Sequence, residues 1–207
     1  VSSSYTVVIS PPSVDRLFFH HPGANDMFPE TDIDRDIVQD ADLFHFGYPP
    51  IMKQMYESTG KQLTTLFREI KQGEITTSLD MAFPDPDSDA GYADWHTILE
   101  NTLPHVDVFL PSMDEIAFML HHPWSESPDD LPISVGVLDE IANRLLDYGT
   151  GLVVLKLGDQ GLYVRTPKYK DRVQDIPLLQ QQDLDNWTDR ELISPCFKTE
   201  VAGTTGA

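Results

Sequence analysis

Several short stretches of this 207-residue chain carry residue types that could do chemistry. Val201-Ala202-Gly203-Thr204-Thr205-Gly206-Ala207 reads as a strand end running into a turn of small residues. Where a helix follows such a turn, unpaired backbone N–H groups point one way and suit a phosphate or a developing oxyanion; an ordinary surface turn or a frayed terminus is the competing reading. Lys156-Leu157-Gly158-Asp159-Gln160-Gly161 has glycines that permit a tight strand-to-strand turn and close backbone approach to a flat ligand, though a bare hairpin would look the same. Ser112 and Glu115 stand one helical turn apart just after a strand-like run ending at Leu110. That spacing either holds magnesium-bound waters from one helix face or makes an N-terminal capping box. In His21-Pro22-Gly23-Ala24-Asn25-Asp26, Asn25 and Asp26 either present polar groups to a ligand or cap a turn before a short helix.

Other clusters carry less. Asp85, Asp87 and Asp89 alternate as in a calcium loop, but Ala90 stands where glycine is needed and His96 where a bidentate glutamate should close the shell. A solvated turn is expected. His20 and His21 should point to opposite faces of a strand, and His121-His122 sits at a helix end, where imidazolium faces the negative end of the dipole. No G-x-S-x-G, H-E-x-x-H or Walker A sequence is present.

The balance of 34 acidic against 14 basic side chains, a net charge of −20, repels a phosphate backbone and argues against nucleic-acid binding. A nucleotide would have to be held by backbone dipoles and bound cations. No apolar run approaches a membrane span, nothing resembles a secretory signal, and the lone Cys196 fits a reducing compartment, so the expectation is a cytoplasmic protein without membrane contact.

These residues must be positioned by regular elements. Tyr5–Ser10 and Asp15–His20 are β-rich runs joined by Pro11-Pro12, and read as adjacent strands. From Ala41 onward short apolar runs (Leu43–Phe46, Ile75–Leu79, Val106–Leu110, Leu152–Leu155) alternate with amphipathic helices. Gly60 should interrupt the helical stretch that starts at Ile51, and Leu63, Leu66, Phe67 and Ile70 make the apolar face of a second helix after it. The alternation predicts an α/β fold: a Rossmann-like, mostly parallel sheet with helices on both faces, and sites at the C-terminal ends of its strands. The residues to watch are therefore Tyr48, Asp80–Phe83, Pro111–Glu115 and Lys156–Gly161.

In their order along the chain these pieces resemble the ribokinase-like, or PfkB, carbohydrate kinases: the Gly23-Ala24-Asn25 loop, Ala41-Asp42-Leu43 leading to Phe46-Gly47, Val106–Pro111, the helix with Glu115, Val154–Gly161, and Gly203–Ala207. The resemblance implies one partial kinase domain over residues 1–207, with residues 1–22 as lid or edge strands of a small β lid. It implies ATP-dependent phosphorylation of a sugar hydroxyl. The nucleotide-binding turn would be Lys156–Gly161, with Thr204 and Thr205 also serving the nucleotide and Gly206-Ala207 forming the anion hole. The family's Asn-x-x-Glu motif, which organises Mg2+, falls on Ser112–Glu115, so only its acidic end matches. Asn25 and Tyr48 would reach the sugar. A family aspartate that helps hold a monovalent cation falls at Gly203, which puts that cation in doubt. The family's catalytic Asp would lie past Ala207, and its early glycine-rich segment before Val1. The partners implied are a sugar and ATP, with a homodimer through the lid an option. Alternatives are a non-catalytic sugar- or nucleotide-binding regulator on the same fold, favoured by Ser112 and Gly203, and a nucleoside kinase.

Overall fold

The computed structural model describes residues 2–11, 17–126 and 133–198. Gly203–Ala207, which carry the expected anion hole and two of the expected nucleotide contacts, lie outside the described residues.

β-branched and aromatic runs at the start of the chain form a two-stranded antiparallel ribbon, β1 (Tyr5–Ile9) and β2 (Leu17–His21). Every residue of both strands is exposed. His20 and His21 point apart, as the period of a strand requires: His20 Nδ1 bonds Thr6 Oγ1, and His21 Nε2 bonds Ser2 Oγ, each at 2.8 Å.

The main sheet has six strands in sequence order: β3 (Leu43–Phe46), β4 (Thr76–Leu79), β5 (Val108–Phe109), β6 (Leu152–Lys156), β7 (Leu162–Arg165) and β8 (Glu191–Ser194). β3 to β6 pair in parallel; β7 and β8 are added antiparallel. The short helix α1 (Arg35–Gln39) precedes β3, its N-terminus capped by Asp34. The crossovers run through α2 (Lys53–Ile70), α3 (Trp95–Thr102), and α4 (Met113–Met119) with α5 (Val135–Asp147). Helical spacing puts Leu63, Leu66, Phe67 and Ile70 of α2 on one face, all buried against the sheet, where Phe67 packs edge-on to Phe44 and Phe46. As expected, α2 breaks before Gly60: Ser58, Thr59 and Gly60 all have positive φ. Ile98 and Leu99 of α3, and Leu138, Ile141 and Leu145 of α5, complete this layer. The segment after α6 (Lys170–Gln174) reaches the opposite face, where Leu178 N donates to Thr76 Oγ1 at 3.0 Å.

At the N-terminal edge of the sheet sits a fully buried carboxylate. Asp107 accepts from Lys71 Nζ through both oxygens at 2.7 Å, from Arg172 Nη1 at 3.0 Å and from Thr77 N at 3.0 Å. Arg172 and Lys71 also donate to the Val106, Gly149 and Asp175 carbonyls. This joins α2, β4, the start of β5 and α6 beside an open cleft of about 430 Å3. Removing one partner of such a buried pair leaves uncompensated charge, at a cost of about 3–5 kcal/mol. Asp107→Ala is therefore expected to lower the unfolding free energy by about that amount, read from urea denaturation; a loss below about 1 kcal/mol would contradict the clamp.

Candidate active site

The opposite edge, at the C-terminal ends of the parallel strands, gathers most of the sequence-nominated residues. β3 ends at Phe46, and the chain turns at Tyr48, whose φ of 64° is left-handed and whose ring is half exposed. Tyr48 N donates to Asp80 O at 3.3 Å, and Asp80 N to Phe46 O at 3.0 Å, so the ends of β3 and β4 are locked together. The loop after Asp80 is fastened to α4 by Phe83 on Phe118, ring centroids 5.0 Å apart.

Ser112 begins α4, and both halves of the capping box are made: Glu115 N donates to Ser112 Oγ at 3.3 Å, and Ser112 N to Glu115 Oε2 at 2.6 Å. The box does not remove Glu115 from the site. It holds the carboxylate at the strand ends, mostly buried, and burial pushes the Glu115 carboxyl above its ordinary range against the opposing pull of the Ser112 N–H and of Lys156.

Lys156 is the last residue of β6. Its backbone N donates to Pro111 O at 2.9 Å, and its ammonium turns back across the sheet edge to Asp80 Oδ1 at 2.5 Å, with Glu115 Oε2 at 4.0 Å. Asp80 Oδ1 is held in turn by Met81 N at 2.8 Å. Two carboxylates and one ammonium thus converge from β4, α4 and β6. The sequence singled out all three positions, but as separate pieces. Their contact depends on β5 lying between β4 and β6, a strand order that no local pattern prints.

The turn from Leu157 to Gly161 closes β6 onto β7, with Leu157 N donating to Gly161 O at 2.8 Å. Gly158, Asp159 and Gln160 form an exposed 3-10 turn next to the Lys156 cluster. Cys196 leans on it, Sγ donating to Gly158 O at 3.4 Å. The Asn25 loop is a 3-10 turn, Gly23–Met27, set against α2: Asp26 Oδ1 accepts from Lys53 N at 3.2 Å, five residues past Tyr48. Asp26 is thus used structurally, and Asn25 is half-buried beside it.

Among the described residues no group of three or more His, Cys, Asp or Glu is arranged to hold a metal. Asp85, Asp87 and Asp89 lie exposed in a turn, where Asp85 Oδ1 accepts from Asp87 N at 3.0 Å. Asp80 and Glu115 do fit Mg2+ brought in on phosphates, because that ion keeps several waters and takes one or two protein carboxylates.

Two glycines of the turn differ in what they tolerate. Gly158 has φ 60° with nothing within 4 Å of an added Cβ, whereas at Gly161, φ 102°, a Cβ would stand 2.1 Å from the Ser194 carbonyl oxygen. Gly158→Ala is expected to cost about 1–2 kcal/mol, the left-handed penalty. Gly161→Ala should cost more and should loosen β8, seen as faster amide exchange at Leu192 and Ser194. Equal losses in urea denaturation would contradict this geometry.

The family model described as pfkB family carbohydrate kinase matches residues 2–207. A protein named an uncharacterized sugar kinase of Archaeoglobus fulgidus is 24% identical over 193 residues, covering 93% of this chain and 58% of the relative. The probable fructokinase-7 of Arabidopsis thaliana is 25% identical over 162 residues, 77% of this chain and 43% of its own length. Among solved structures, a ribokinase of Thermotoga maritima superposes with a TM-score of 0.59 at 16% identity, over 98% of this chain and 51% of that one. Arabidopsis thaliana ribokinase complexed with ribose and ATP superposes with a TM-score of 0.55 at 17% identity, over 79% and 45%. The chain thus spans about half the length of the relatives it matches. With the family model covering residues 2–207 and the ribokinase-like sheet in place, the chain belongs to the pfkB family of carbohydrate kinases.

Proposed function

We propose that this chain is the core of an ATP-dependent kinase that moves the γ-phosphoryl of ATP to a sugar hydroxyl. The observation that carries the reading is the convergence of Asp80, Glu115 and Lys156 beside the Leu157–Gly161 turn, at the strand ends where α/β sheets bind ligands. Family membership supports it, as do fold neighbours named for complexes with ribose and ATP and for a fructokinase with bound ATP.

In this reading the backbone of Lys156–Gly161, with Thr204 and Thr205, takes the nucleotide, and the Gly206-Ala207 amides face the transferring phosphoryl. Glu115, with Ser112 beside it, orders the waters of Mg2+, and that ion, when bound, offsets charge on the phosphate oxygens. Asn25 and Tyr48 face the sugar. The β1–β2 ribbon, apolar and exposed through Val7, Ile9, Leu17 and Phe19, suits a lid over the sugar or a homodimer contact. The partners are small molecules, in a cytoplasmic setting, and the net charge of −20 disfavours nucleic acid. No helix among the described residues is long and apolar enough to cross a membrane. Whether a monovalent cation takes part rests on Gly203, where the family aspartate is replaced.

The proton of the sugar hydroxyl needs a base within hydrogen-bond reach. Asp80 and Glu115 are committed to Lys156 and the helix cap or, in the loaded site, to Mg2+, so neither is assigned as the base; in this reading an Asp would serve if a longer chain continues with Gly-Asp after Ala207. The test is sugar-dependent ADP release over hexoses, pentoses and nucleosides, comparing the 207-residue chain, a chain extended through Gly-Asp, and its Asp→Asn variant. The extended chain should turn over, and the other two should be slower by about a hundredfold to ten-thousandfold. Comparable turnover by the 207-residue chain would overturn the assignment of the base. Nucleotide binding without turnover by the extended chain would favour the non-catalytic regulator, for which Ser112 in place of the motif asparagine already speaks, and preference for nucleosides would favour the nucleoside kinase.

A further inference from the structure

We propose that Lys156 is an exchangeable internal counter-ion: it holds Asp80 and Glu115 together while the site is empty of divalent cation, and leaves Asp80 for phosphate when Mg2+ enters. The inference rests on reading this rim as the Mg2+-nucleotide site, and assigns to one side chain the coupling between metal entry and phosphate capture.

Three observations lead to it. Both carboxylates are more buried than the cation between them: the side chains of Asp80 and Glu115 are 17% and 13% exposed, that of Lys156 35%. The carboxylates also stand close enough to repel, since one ammonium reaches both: Lys156 Nζ is 2.5 Å from Asp80 Oδ1 and 4.0 Å from Glu115 Oε2. Bringing them together without a cation would therefore be costly, and Lys156 supplies the cation from within. Finally, the Lys156 backbone is fixed, by its N–H to Pro111 O and by a parallel bridge to Ser112, so the butyl chain is the part able to move.

Charge decides the direction of movement. Two carboxylates and one ammonium leave the cluster with one negative charge in excess, which attracts a cation. A divalent ion in the same place reverses the sign. The ammonium is then repelled from the metal, loses its reason to stay on Asp80, and lies at the end of β6 directly before the Leu157–Gly161 turn, where a metal-borne phosphate would arrive. A lysine suits this better than an arginine, because its compact ammonium on a flexible stem can change partners without losing a bidentate fork.

The account differs from a purely structural ion pair in the sign of one effect. Mn2+ affinity is measured without nucleotide, by water proton relaxation, on the 207-residue chain and on Lys156→Met, Lys156→Arg and Glu115→Gln. Removing a like charge within about 4 Å of the metal should tighten Mn2+ binding by about tenfold or more in Lys156→Met. Lys156→Arg should stay near the parent, and Glu115→Gln should weaken binding. The same Lys156→Met should bind MgATP more weakly than the parent, by about tenfold, because a charged phosphate contact is lost. Unchanged or weaker Mn2+ binding in a cooperatively folded Lys156→Met would overturn the inference while leaving the kinase reading intact. Failure of the parent chain to bind either Mn2+ or MgATP would overturn both. Should Lys156→Met not fold, the parent sequence still decides: acylation of Lys156, followed by peptide mass spectrometry, should accelerate when Mg2+ alone is added, and no acceleration would contradict the exchange.

Discussion

The rest of the structure depends on a buried charge far from the chemistry. Asp107 is completely enclosed, and a lone carboxylate there would be untenable, so Lys71, Arg172 and the Thr77 amide are drawn to it from three different elements. The result is a fixed floor: the end of α2, the start of β4, the approach to β5 and α6 meet at one point. With the N-terminal edge tied, the parallel strands must deliver their opposite ends to a common rim. The rim then inherits loops whose lengths and sequences are free of the packing constraints below them.

What the rim receives is a small set of charges arranged across strand order. β5, only Val108–Phe109 in length, acts as a spacer that sets how far Asp80 stands from Lys156. The capping box of α4 performs a second task beside stabilising the helix, because the same hydrogen bond that satisfies Ser112 N keeps Glu115 pointing at the ammonium. Capping the helix thus leaves the Glu115 carboxylate facing the rim, as the proposed role in ordering Mg2+ requires.

Much of this was legible in the sequence, for identifiable reasons. The parallel strands could be read because Leu43–Phe46 and Leu152–Leu155 are short apolar runs between amphipathic helices, and the break in α2 because Gly60 separates the stretch from Ile51 from the apolar stripe that begins at Leu63. The glycine turn after β6 was legible from Gly158 and Gly161 alone. The Asp107 clamp was not: an aspartate between Val106 and Val108 carries no local mark of its partners, which come from 36 and 65 residues away. The Asp80–Lys156 contact escaped for the same reason, spanning 76 residues and a strand order that periodicity does not encode. Val106–Leu110 was read as a longer strand than β5, because Asp107 turns its side chain into the floor and Leu110 already leads into the α4 cap. The expected roles of Gly203–Ala207 concern residues outside those described.

The central claim is that the rim, and not the cleft at the floor, receives a magnesium nucleotide. Amide hydrogen exchange with and without MgATP tests it most directly. The account predicts slowed exchange at Leu157–Gly161 and at Met113–Glu115, with Thr77, Arg172 and their neighbours unchanged. Protection confined to the floor around Lys71 and Arg172, or no protection at the rim at saturating MgATP, would contradict it.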